Sequence, residues 1–123
     1  MDIIFIIGRV ILGGILLISG INHFTTMEKT IAYAQSKKVP MPGLAVSFTG
    51  LMLLFSGLVI ILWGLLPMLI IPALIMLAIF LFFTTLLMHA FWKAPAESKM
   101  IEMRYFMSNT MLFGATLIVL SML

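Results

Sequence analysis

The sequence predicts an all-α integral membrane protein: an antiparallel four-helix transmembrane bundle with a short interfacial helix after its first span. Three observations carry that expectation. Of 123 residues, 63% are hydrophobic and 9% charged, with a mean hydropathy of +1.28, whereas soluble domains run at about 45–50% apolar and about 25% charged. From Val39 to Trp92 lie 54 consecutive residues without Asp, Glu, Lys or Arg; one crossing needs about 20, so the run holds two crossings and a turn. The remaining charges are gathered mainly in two connections. A water-soluble fold with a greasy core is excluded by length, because so small a domain exposes much of its surface.

The first span is expected over about residues 3–24, with Arg9 inside it and Gly13 and Gly20 seven apart on one face, where small side chains let helices approach. The opening MDIIFIIGRV carries Asp2 where a signal peptide carries basic residues, and reads as a mature first span. In the following TTMEKTIAYAQSKKVPMPG, Met27, Ile31 and Ala34 share one helical face, while Glu28, Lys29 and Gln35 lie elsewhere. Thr25 or Thr26 suits its start, and Pro40 and Pro42 stop it. The segment reads as a helix lying in the interface plane.

The second span is expected over about 44–65, with Gly50, Gly57 and Gly64 as another small-residue stripe. An uncharged turn near Gly64–Pro67 leads to the third span, about 68–92. Either Pro67 is its first residue and Pro72 a kink, or Pro72 begins the regular helix. Lys93-Ala-Pro-Ala-Glu97 breaks the chain, and Pro95 and Glu97 suit the first turn of a new helix. That helix crosses over about 104–123, with Lys99, Glu102 and Arg104 at its mouth and Tyr105 at the interface. Residues 1–123 form one domain.

Lys29, Lys37, Lys38, Lys93, Lys99 and Arg104 fall in the first and third connections, and the second carries no Lys or Arg. By the positive-inside rule both charged connections are cytoplasmic and both termini external. With no cysteine, thiol–disulfide chemistry, Cys-ligated zinc and iron–sulfur clusters are excluded. A net charge of +3, dispersed among spans, points away from nucleic acid. A small four-span drug/proton antiporter would need an acid in mid-membrane, and all four acids here lie at ends or in loops.

The candidate site is drawn from polar groups at span ends. His23, with Asn22 beside it, and His89, with Trp92 near it, fall at the same end of two spans. Glu102 and Asn109 share a helical face with Tyr105 or Phe106. His89, Trp92, Asn109 and His23 are expected to line one polar pocket, because each needs a partner once desolvated. Arg9 either snorkels outward toward Asp2 or faces inward in binding or helix pairing. Two histidines on different helices are weak geometry for a bis-histidine haem and a catalytic metal lacks a third convincing ligand, so no metal ligand and no catalytic residue is assigned.

G-R-V-I-L-G at 8–13, G-I-N-H-F at 20–24, V-P-M-P at 39–42, T-G-L-M-L-L-F-S-G at 49–57, H-A-F-W at 89–92 and F-M-S-N-T-M-L-F-G at 106–114 together resemble the DoxX family of small four-span prokaryotic membrane proteins. The family often carries Lys near His23, an acid near Leu53 and Lys at the position of Ser108. This chain departs there, and no role is carried over to those positions. The resemblance implies an inner-membrane protein tied to redox systems that include a quinol-oxidase partner subunit and oxidant-resistance complexes. The expected function is a subunit or scaffold of a quinone-linked membrane redox system, without complete catalytic machinery of its own. Its partners would be the bilayer, a membrane or peripheral redox protein, or further copies of itself. The alternative is a quinone- or lipid-binding protein or oxidoreductase with its site at the cytoplasmic mouth.

Overall fold

The computed structural model describes residues 2–123, and every regular element among them is helical. Helix α1 (Ile3–Thr25) is followed by the short α2 (Met27–Ser36) and then α3 (Pro42–Ile61). A 3-10 turn at Pro67–Leu69 leads into α4 (Ile70–Met88), another at Phe91–Lys93 closes it, and α5 runs Ala96–Ser121. Three stretches, Ile3–Thr25, Pro42–Ile61 and Pro67–Lys93, are long and apolar enough to cross a membrane. The expected fourth, over 104–123, is not among them: its first half is diluted by Arg104, Ser108 and Asn109 before the apolar run at 117–120.

Local chemistry sets the boundaries. Asp2 caps α1, its carboxylate accepting from the Ile4 amide at 3.0 Å. Thr26 stands at the N-cap of α2, but its hydroxyl donates back to the Asn22 carbonyl rather than capping forward. The end of α2 is a Schellman motif, with Val39 N–H on the Ala34 carbonyl and Lys38 N–H on that of Gln35. It forces Lys38 to a left-handed φ of 60°, a position that favours glycine. Pro67 opens the 3-10 turn and Pro72 falls in the first turn of α4. Pro72 therefore neither kinks the helix nor starts it, since first-turn amides have no intrahelical partner to lose.

Helices α1 and α3 meet along a glycine seam on which rising residue numbers in α1 face falling ones in α3. A Cβ on Gly13 would lie 2.7 Å from the Gly57 carbonyl oxygen, and one on Gly20 would lie 2.9 Å from the Leu54 nitrogen. Gly50 likewise abuts His23 and Phe24. The predicted stripe on α3 is shortened: α3 stops at Ile61, and Gly64 is exposed in the turn beyond it. The core lies among Leu16, Leu53, Ile60, Leu74, Leu77 and Leu81. Within it the Ser56 hydroxyl donates to the Ala73 carbonyl at 3.3 Å, a polar tie between α3 and α4. Large apolar side chains such as Ile11, Phe48, Ile79 and Ile118 remain exposed on the outer faces, as they would against lipid.

Candidate functional site

At the lysine-bearing end of the molecule a carboxylate is buried. Glu102 points inward from the second turn of α5 and is 3% exposed. One oxygen accepts from the Tyr33 hydroxyl and lies 3.2 Å from Lys37 Nζ. The other accepts from His89 Nδ1 at 2.9 Å. An ionised carboxylate only accepts, so this contact fixes the His89 proton on Nδ1.

Each participant is positioned by its own element. Tyr33 and Lys37 are four residues apart on α2 and its C-cap, hence on one face, with Lys37 Nζ 5.3 Å from the Tyr33 ring centre. His89 caps the C-terminal end of α4, its amide still bonded to the Thr85 carbonyl. Its ring packs between Tyr105, with centres 5.1 Å apart, and Tyr33, with centres 6.3 Å apart. Beside the cluster, Phe91, Trp92 and Phe106 pack edge to face at 5.3–5.7 Å. Three elements thus close on one carboxylate.

Burial alone would raise the Glu102 carboxyl, but hydrogen bonds from Tyr33, His89 and Lys37, with the Lys37 charge, outweigh it and hold it below its ordinary value. The Tyr33 hydroxyl is pushed well above its own, first by burial and then by its hydrogen bond to Glu102 and that carboxylate's charge.

The seven candidate residues do not form one site. His89 and Glu102 touch, and Trp92 stands in the neighbouring aromatic group. His23 donates from Nδ1 to the Ser19 carbonyl of its own helix at 2.8 Å and sits on the α1–α3 seam. Asn22 is exposed and Asn109 half-buried, and among the described residues neither side chain is hydrogen-bonded to the cluster. The shared pocket expected of His23, His89, Trp92 and Asn109 is therefore replaced by a cluster centred on Glu102. Arg9 lies at the opposite end, facing an apolar cavity rather than Asp2, whose carboxylate is engaged in capping α1.

Nothing in the sequence singles out Tyr33 and Lys37 as site residues. Their four-residue spacing was the available signal, but only burial of an acid elsewhere gives it meaning. Nor does the sequence single out Thr85: its buried hydroxyl has no partner among the described residues and lines a groove of about 200 Å³ between α4 and α5, with Phe82, Leu86, Phe106 and Phe113. Among the described residues no three His, Asp or Glu side chains gather as a metal site.

A search of curated proteins and solved structures finds no match. The model of the DoxX family matches residues 4–90. That covers α1 to the end of α4 and leaves Glu102, like the motif at 106–114, beyond the matched stretch. With more than two thirds of its length matched, this chain belongs to the DoxX family.

Proposed function

We propose that the chain is a non-catalytic subunit of a quinone-linked redox assembly in a prokaryotic inner membrane. It crosses four times as an antiparallel bundle, with its lysine-bearing connections in the cytoplasm. The observation that carries the non-catalytic reading is the closure of the Glu102 cluster. Its two oxygens take donors from Tyr33, Lys37 and His89, so the buried acid is committed to fastening α2 and α4 to α5. A general base or acid needs an open position toward a substrate. The redox association rests on the family. Support for a fourth crossing comes from α5, whose 26 residues extend about 39 Å at 1.5 Å each.

A second reading, a quinone- or lipid-binding protein, is favoured by the α4–α5 groove. It carries the unpartnered Thr85 hydroxyl one turn from His89, whose Nε2 makes no protein hydrogen bond among the described residues. Purification in mild detergent separates the two. The subunit reading expects a stoichiometric protein partner, retained in the Thr85→Val variant. A stoichiometric quinone or chromophore lost in that variant, with no protein partner, would sink the subunit reading in favour of the second.

A further inference from the structure

At the end of the molecule opposite Glu102, Arg9 is held in an environment that leaves its charge unanswered. Among the described residues its buried Nε has no hydrogen-bond partner, and no carboxylate pairs with it. The Phe5 ring centre lies 6.0 Å from the Arg9 Cζ, the outer limit for a cation–π contact. Arg9 lies six residues from Ile3, about 9 Å along the helix.

Beside it is a half-open cavity of about 260 Å³, walled by Ile60 and Trp63, Leu74 of α4, and Leu112 and Val119 of α5. The Thr116 hydroxyl on that wall is spent on the Leu112 carbonyl at 2.7 Å. Among the described residues Arg9 is thus the one charged group at an apolar cavity. A buried guanidinium nitrogen without an acceptor costs about 1–3 kcal/mol, and hydrocarbon offers no water to satisfy it.

We propose that this cavity binds an anionic acyl lipid, with the acidic head on the Arg9 guanidinium and one chain between α1, α3, α4 and α5. The charge calls for a carboxylate or phosphate, which guanidinium binds with paired donors. The apolar wall calls for a hydrocarbon chain, and the volume, small beside pockets of about 300–1,000 Å³ that hold whole ligands, calls for part of a lipid. This inference is independent of what the Glu102 end does.

Two features make it testable. Trp63 lines the cavity, and it becomes the sole tryptophan in a Trp92→Phe background, since the chain has 2. Gly8 also lines the cavity, and a Cβ built on it meets nothing within 4 Å, so Gly8→Leu fills the space while leaving Arg9 in place. The protein is reconstituted in phosphatidylcholine with rising fractions of brominated phosphatidylglycerol, brominated stearic acid or brominated phosphatidylcholine, and Trp63 quenching is followed. At least one anionic probe is expected to quench at about tenfold lower mole fraction than phosphatidylcholine, equivalent to about 1.4 kcal/mol. Which anionic probe does so identifies the head group. Arg9→Gln should abolish the preference, and Gly8→Leu should abolish the tight phase for all probes. Equal quenching by all three probes overturns the proposal, as does a preference that survives Arg9→Gln. Should Arg9→Gln fail to fold, unchanged tight quenching in Gly8→Leu overturns it alone.

Discussion

Glu102 concentrates the most chemistry in one side chain. Removing its charge with Glu102→Gln leaves three half-buried donors facing one amide that can satisfy only part of them. Such losses cost about 1–3 kcal/mol, with the Lys37 contribution discounted because that side chain is 21% exposed. A lower melting temperature in detergent is the expected readout. The pH dependence has a definite sign at each edge. The carboxyl is depressed in the folded protein, so its contribution is complete above the ordinary value of 4.5 and fades as pH falls through the depressed one. Tyr33 is raised, so its contribution is complete below 10.0 and is lost as pH rises toward the elevated value. The parent should show a stability plateau between those limits, and the Glu102→Gln profile should lack the acid edge. Lys38 offers the opposite kind of change. Glycine there relieves a left-handed backbone conformation that costs a side-chain residue about 1–2 kcal/mol, so Lys38→Gly should raise the melting temperature and slow amide exchange at residue 38 and Val39.

At the scale of elements, the α1–α3 seam makes a prediction from two adjacent residues. Gly13 lies against the Gly57 carbonyl, while a Cβ on Gly14 meets nothing within 4 Å. Gly13→Leu must push the helices apart and should cost at least about 1–3 kcal/mol; Gly14→Leu should leave detergent unfolding unchanged. Equal effects would mean that the seam does not hold the helices together. The same elements show what a sequence can disclose. Glycines seven apart on α1 marked a contact face because helical periodicity fixes faces within one segment. Gly64 reads as part of the α3 stripe because a continuous apolar run gives no sign of where the helix gives way to a turn. The charged turn at Lys93–Glu97 and the start of α5 were legible, since proline and charge mark boundaries in a chain otherwise apolar. Tyr33 and Lys37 were not, because nothing in α2 says which distant acid they will meet. Depth alone groups His23 with His89, and depth does not fix the direction in which a ring points.

At the scale of the whole molecule, the charge asymmetry predicts orientation. A reporter fused after Leu123 that works only outside the cytoplasm should be active, and one that works only inside should be silent; the reverse result would invert the topology or remove the fourth crossing. The cluster at Glu102 also has a bearing on the order in which the protein is made. Tyr33 and Glu102 are 69 residues apart, with α3 and α4 between them. While those helices enter the bilayer, α2 is held by its packing on α1 and α3 and by the Thr26 hydroxyl on the Asn22 carbonyl, with the carboxylate for Tyr33 and Lys37 still to come. Contacts of such long sequence separation form late. The bonds of Tyr33 and Lys37 to Glu102 therefore wait for the final helix, and a nascent chain halted before Ala96 should leave Lys37 more reactive toward amine reagents than the finished protein does.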